Sequence, residues 1–187
     1  LDDTEQEALL AVAAVHHGLI QKGMRGEGGL IVETGEAREV MLFCLLCGFG
    51  ANAVNPYLVF EMLQELQRQA DLPAKTDLGQ CADNFIAAIK KGILKVMSKM
   101  GISTLRSYFN AQLFEAVGLN KEFVDKYFVG TSSRIEGIGL RQIAADAIRR
   151  HHEAYRNRKP GELEMEYGGE YHFRCDGERH LWNPTTV

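Results

Sequence analysis

The chain has 187 residues, enough for a domain that builds its own core without disulfide or metal support. Hydrophobic residues make up 45% and charged residues 25%, which excludes a disordered, collagenous or coiled-coil chain. With 21 basic against 25 acidic residues the net charge is −4, so the overall balance gives no reason to seek nucleic acid or an anionic membrane.

Thr4 and Glu7 carry the spacing of a capping box. Leu9, Val12, Ala13, His16 and Ile20 then recur at helical intervals, so a first helix is expected to run to about Lys22. Gly23 to Gly29 is a glycine-rich loop. Leu30-Ile31-Val32 reads as a short strand, stopped by Thr34-Gly35. Glu36 to Cys47 reads as a mostly buried helix with Gly48 past its end, and Ala53-Val54 as a second buried strand ended by Asn55-Pro56. Tyr57 to Gln69 is a helix with Leu58, Met62, Leu63 and Leu66 on one side. Strand, helix, strand, helix at this spacing implies a parallel sheet. In such sheets the working loops lie at the carboxyl ends of the strands, here Glu33-Thr34-Gly35 and Asn55-Pro56-Tyr57.

Asp71 to Asp77 reads as a linker. Phe85, Ile89, Ile93, Val96 and Met100 mark a long helix ending at Gly101, and Ile102-Ser103-Thr104 a third short strand or its exit. Lys91, Lys95 and Lys99 form a stripe at four-residue spacing, whose plainer reading is a solvated face; the other is an anion site. Leu105 to Gln112 is ambiguous. Asn120 caps a short helix, Lys121 to Tyr127. Gly130-Thr131-Ser132-Ser133, followed by Gly137-Ile138-Gly139, offers either a phosphate cradle ahead of a helix or a capped turn, and the turn is the expectation. Leu140, Ile143, Ala144, Ala147, Ile148, His151 and Tyr155 make a last helix, ended by Pro160-Gly161. Beyond it, Glu162 to Tyr167 alternate at strand period, and Asp176-Gly177 is a hairpin turn between Tyr171–Arg174 and Glu178–Trp182. The expected fold class is α/β: helix-rich, with a short parallel sheet, open or incompletely barrel-like, and a C-terminal antiparallel hairpin.

Chemistry-bearing residues are sparse. Cys44 and Cys47 have C-x-x-C spacing but lie in the apolar run Met41 to Cys47, with no second pair after them. They are expected to be buried core thiols, with Cys81 and Cys175 isolated and no metal site. His16-His17 and His151-His152 diverge by about 100° on a helix, so each pair is expected to place one ring inward and one outward. No nucleophile elbow, zinc-peptidase motif, Walker loop or complete dinucleotide fingerprint occurs. No catalytic residue is therefore expected. The acidic start Leu1-Asp2-Asp3 does not resemble a signal peptide, and cysteine usage implies a reducing compartment, the cytoplasm.

Longer strings carry a resemblance. They are Ala14–His17, Val32–Glu39, Val54–Leu58, Gly92–Thr104, Phe114–Leu119, Gly130–Leu140, Gly168–Tyr171 and His180–Pro184. Together they resemble, in order and over nearly the whole chain, part of the large subunit of the glutamate synthase family. That resemblance implies an enzyme making glutamate from glutamine and 2-oxoglutarate, with an amino-terminal glutaminase domain, a central domain, an FMN-binding barrel with an iron–sulfur cluster, and a β-helix. Residues 1–160 resemble the later central domain and 161–187 a connector toward the FMN domain. Leu1 is then expected to be a cut inside a longer polypeptide. The family's nucleophilic cysteine and cluster ligands have no counterpart here. Four positions depart from the family's pattern: Phe109-Asn110 where Arg-Gly is expected, Gly18 in place of a third histidine, and Met41 in place of a histidine.

Two functions from different classes follow. The first is a non-catalytic connector between the glutaminase and FMN sites that helps to wall an ammonia tunnel. Ammonia must stay neutral to cross apolar surroundings cheaply, so short neutral side chains at the strand ends are the candidates: Asn55, Ser103 and Thr104. The second is a domain binding a small anion or flavin phosphate at Thr34 and Gly35 or at Thr131 and Ser132. On the first reading no cofactor belongs to this segment; FMN and the iron–sulfur cluster lie elsewhere in the full enzyme. The partners are the glutaminase and FMN domains of the same polypeptide, with a small subunit or ferredoxin reached through other domains. Neither nucleic acid nor membrane is expected.

Overall fold

The computed structural model describes residues 6–69, 76–155 and 183–186. The chain divides into two units, residues 3–144 and residues 145–187. In order, the elements are α1 (Gln6–Gln21), β1 (Ile31–Glu33), α2 (Val40–Gly48), β2 (Ala53–Asn55), α3 (Tyr57–Arg68) and α4 (Leu78–Lys99). Then come α5 (Leu105–Tyr108), β3 (Glu115–Leu119), α6 (Lys121–Tyr127), β4 (Ser132–Ile138) and α7 (Leu140–Tyr155). The class is α/β and helix-rich, as the periodicities imply. The Thr4 cap, most of the 71–77 linker, the Pro160-Gly161 stop and the C-terminal hairpin fall outside the described residues.

α2 is the centre of the first unit. Seven of its nine residues are buried, because Val-Met-Leu-Phe-Cys-Leu-Leu-Cys-Gly is apolar on every side. α1 contributes Leu9, Val12, Ala13 and His16, spaced to fall on one face and all buried. α4 turns Ile89 and Met97 inward, and its Gly92 lets Val40 of α2 approach where a Cβ would collide. Phe49, just past α2, stacks on Phe114 at 5.9 Å and meets Phe128 edge-on at 5.2 Å. Each of the fully buried leucines Leu9, Leu42 and Leu46 contributes about 2 kcal/mol by leaving water.

The parallel strands form two sheets, each a β-α-β unit of two strands. β1 pairs with β2 in the register Ile31↔Ala53, Val32↔Val54, Glu33↔Asn55, with α2 in the crossover. β3 pairs with β4 from Glu115↔Ser132 to Leu119↔Ile138, with α6 in the crossover and two register shifts. At the second shift Gly118 adopts φ +79° and a Cβ on Gly137 would collide with its carbonyl oxygen.

Several boundaries differ from the sequence reading. α2 begins at Val40, not Glu36, because Thr34 Oγ1 takes the Glu36 N–H at 3.1 Å and holds it in a turn. Glu36 in turn accepts from Ala8 N–H in the first turn of α1 at 3.2 Å, and Glu39 is extended. Ile102-Ser103-Thr104 is not a strand. Gly101 turns the chain at φ +72°, Ile102 packs beside Cys44 and Tyr108, and Thr104 caps α5. Gly130 to Ser133 is not simply a turn either: Gly130 turns the chain at φ +82° and Ser132-Ser133 open β4. Asn120 caps α6 as expected, its Oδ1 accepting from Phe123 N–H at 2.8 Å.

In the second unit, the body of α7 carries an Asp146–Arg149 ion pair at 2.9 Å and a His151–Tyr155 ring contact. Residues 183–186 form a turn in which Asn183 Oδ1 accepts from Thr185 N–H at 2.9 Å.

Candidate functional site

The two predicted strand-end loops meet at the carboxyl edge of the β1–β2 sheet. Glu33 and Asn55 are register partners, and Asn55 Nδ2 donates to Glu33 Oε2 at 2.9 Å. Thr34 N–H donates to the Asn55 carbonyl at 3.1 Å, and Thr34 is 8% exposed. Gly35 lies against Leu58 and the Tyr57 hydroxyl, so a Cβ there would be tightly held. This edge is therefore acidic and neutral-polar, with Glu33 and Glu36 on either side of Thr34-Gly35.

That chemistry does not make a phosphate cradle. The N–H groups of Thr34 and Glu36 already donate to Asn55 O and Thr34 Oγ1, and an anion there would face two carboxylates. At the other place, Thr131 N–H donates to Phe128 O at 2.9 Å and Ser132 starts a strand rather than a helix. The nearby Arg134 is paired with Glu115 at 3.3 Å across the β3–β4 sheet. Thr34-Gly35 and Thr131-Ser132 thus do not fit a flavin phosphate in this arrangement.

Of the neutral candidates, Asn55, Ser103 and Thr104 are all exposed on this chain. Asn55 is held by Glu33, and Thr104 Oγ1 caps α5, 2.8 Å from Ser107 Oγ. Ser103 lies in the irregular segment between α4 and α5.

The most highly organised polar cluster was not visible in the sequence. Arg25, in the glycine-rich loop, reaches four acceptors. Its Nε donates to His16 Nδ1 at 2.8 Å, and Nη1 donates to the Gly28 carbonyl at 2.9 Å. Nη2 donates to the Gly50 carbonyl and to Asn52 Oδ1, both at 2.9 Å. Asn52 Oδ1 also accepts Leu30 N–H at 2.8 Å, which ties the start of β1 to the loop before β2. The planar guanidinium fork suits this divergent set as an ammonium would not. Gly50 makes it possible: φ is +114°, and a Cβ would lie 2.8 Å from His16 Cγ, inside the ring's envelope.

Because Nδ1 accepts, the neutral His16 ring carries its proton on Nε2. That atom is buried without a hydrogen-bond partner. Burial is the main force holding His16 below its usual pKa, followed by the charge of Arg25 and by His17, with Asn110 acting in the opposite sense. Asn110 itself has φ 55°. Asparagine is among the few side chains that tolerate this region.

His16 is buried and His17 half-buried beside it, with ring centroids 5.2 Å apart. His151 and His152 do not divide in that way: both are exposed. Cys44 and Cys47 are core thiols, at 0% and 8% exposure, packed with Met97 and Tyr108. Burial pushes the Cys47 thiol up to about 11, with Cys44 adding to the effect. The Tyr108 hydroxyl is fully buried and turned toward Cys44 without a well-formed hydrogen bond. Among the described residues no three histidine, cysteine or carboxylate side chains converge as metal ligands, and no helix is long and apolar enough to cross a membrane.

Comparison with known proteins adds a second line. The family model described as the glutamate synthase central domain matches residues 2–120. The large chain of glutamate synthase (NADPH) of Bacillus subtilis is 45% identical over 179 residues, covering 96% of this chain. Glutamate synthase (NADH) of Saccharomyces cerevisiae is 44% identical over 188 residues, again 96% of this chain. The ferredoxin-dependent glutamate synthase of Pyropia yezoensis is 39% identical over 185 residues, 94% of this chain. The chain spans only 12%, 9% and 12% of the length of these three relatives.

Proposed function

The chain belongs to the glutamate synthase central domain family, and from that premise we propose that it is a non-catalytic connecting segment of an enzyme making L-glutamate from L-glutamine and 2-oxoglutarate. The observation that carries this reading is the breadth of the match. Relatives named for NADPH, NADH and ferredoxin resemble this segment at 45%, 44% and 39% identity over nearly all of its length. A segment shared across three electron donors serves something those enzymes have in common, and the donor is selected elsewhere.

On this proposal residues 1–160 are the later part of the central domain, and 161–187 lead toward the FMN domain. FMN and an iron–sulfur cluster belong to other regions of the full enzyme. The partners are the glutaminase and FMN domains of the same polypeptide, with a small subunit or ferredoxin met through those other domains. The setting is the cytoplasm.

The segment's chemical task is to help keep ammonia neutral and enclosed between two centres. Asn55, Ser103 and Thr104 are the proposed wall residues: neutral, short, and exposed on this chain, where a neighbouring domain would close over them. Ser103 is the strongest of the three. Asn55 is bonded to a carboxylate and the Thr104 hydroxyl is engaged in a cap. In the full-length enzyme Ser103→Leu is expected to lower glutamine-dependent glutamate synthesis while glutaminase turnover persists. A parallel fall in both rates would exclude a tunnel role for Ser103.

A further inference from the structure

Between Asp83 and Glu115 the chain has no acidic residue and five basic ones: Lys90, Lys91, Lys95, Lys99 and Arg106. The chain as a whole is acidic, so this stretch runs against its overall charge. All five cations are exposed, and none takes part in an ion pair among the described residues; the three pairs found there involve Arg68, Arg134 and Arg149.

The helical repeat gathers the lysines. Ile89 and Met97 turn inward against α2, so the opposite side of α4 carries Ala87, Lys91, Leu94, Lys95 and Ser98, with Lys90 and Lys99 on its flanks. Leu94 is 63% exposed, one turn from Lys90 and Lys91 and next to Lys95. Exposed alanines at 87 and 88 leave the preceding turn low. An exposed apolar side chain with unpaired cations in the turn before it and beside it is not the composition of a merely solvated helix face, which mixes both signs of charge. It has the composition of a contact: an apolar centre that can be dried and a charged rim that sets orientation.

We propose that the outer face of α4 docks an acidic segment of the remaining, longer part of the same polypeptide, one that carries carboxylates around an apolar residue seated on Leu94. Charge complementarity selects the chemistry of the partner. The relatives, of which this chain spans 12% or less, supply the source. The inference rests on membership in that family but is independent of the tunnel assignment. A polyanion such as nucleic acid is a poorer fit: the chain is net negative, and Leu94 would stay in water beneath a phosphate backbone.

The test is carbodiimide cross-linking of the full-length enzyme, which joins a lysine amine to a carboxylate in direct contact, read by peptide mass spectrometry. Lys91, Lys95 or Lys99 is expected to link to an aspartate or glutamate outside residues 1–187. Lys91→Glu with Lys95→Glu is expected to abolish those links, and Lys91→Arg with Lys95→Arg to leave the Lys99 link in place. Links confined to this chain's own carboxylates (Glu162, Glu164 and Glu166 among them), links only between copies, or none at all would overturn the proposal. Glutamine-dependent glutamate synthesis by the same preparation separates the two readings. Synthesis without the expected links removes the docking face and leaves the family function standing.

Discussion

Replacing Arg25 tests the physical reading of the polar cluster most directly. Arg25→Ala removes four hydrogen bonds at 2.8–2.9 Å. The bonds to Gly28 O and Asn52 Oδ1 are exposed, and water replaces them at little cost, about 0.5 kcal/mol each. The bonds to His16 Nδ1 and Gly50 O are partly buried and leave acceptors behind, at about 1–1.5 kcal/mol each. The sum is about 3–4 kcal/mol, which for a chain of this size lowers Tm by about 6–16 °C. Arg25→Lys should recover only a minor part, because an ammonium cannot hold the ring nitrogen and two carbonyls in a plane. The pH dependence carries an independent signature. The folded state holds His16 below its ordinary 6.5, so the unfolded chain binds more protons as the pH falls. Stability from this group is therefore full above about 6.5 and is lost as the pH drops from there toward the folded pKa. Removing the Arg25 charge reduces that depression, and the remaining loss on acidification should be shallower in Arg25→Ala than in the parent. Thermal unfolding by circular dichroism over a pH series reads both effects. A variant with unchanged Tm, or with a steeper acid loss than the parent, would refute the account.

Further expectations follow from single contacts. Gly50→Ala should cost about 2–4 kcal/mol, since it combines φ +114° with a clash on the His16 ring; Gly23→Ala, at φ +72° with open space around it, should cost only about 1 kcal/mol, and equal losses in urea titration would contradict the steric argument. Asn120→Ala should lose about 1 kcal/mol by freeing the Phe123 N–H, with Asn120→Asp keeping most of it; the comparison is of urea midpoints. In native conditions Cys44 and Cys47 should alkylate far more slowly than half-buried Cys81, by peptide mass spectrometry, because both thiols are buried and their pKa values raised; comparable rates would show that the core opens readily.

The contrast between what was legible and what was not has a physical basis. Helices with a local signal were read correctly in kind. α1 and α4 follow their apolar spacing, α6 follows the Asn120 cap, β1 follows a short branched run closed by Thr-Gly, and β2 follows Ala53-Val54 closed by Asn-Pro. The resemblance was also legible, because strings such as Gly92–Thr104 are long enough to be specific. β3 and β4 were not read. β3 alternates only over Glu115-Ala116-Val117 before Gly118 interrupts it, β4 is exposed along most of its length, and Arg134 and Glu136 in β4 look like loop residues until Glu115 and Lys121 supply partners. Those partners are distant in sequence, and no local period announces them.

The candidate site divides in the same way. The sequence by itself determined the family, the α/β class and the meeting of Glu33-Thr34-Gly35 with Asn55-Pro56-Tyr57, because parallel pairing places consecutive strand ends side by side. Only the tertiary structure decided that the Thr34 and Glu36 N–H groups are already taken by Asn55 O and Thr34 Oγ1, that Ser103 and Thr104 leave a helix rather than a strand, and that Arg25 binds His16, Gly28, Gly50 and Asn52 at once. Periodicity reports which residues are apolar and how often; it carries no information on which distant acceptors a guanidinium will meet. That depends on how α1 and the loops around β1 and β2 converge, and on a glycine at position 50 that lets the His16 ring sit against the backbone.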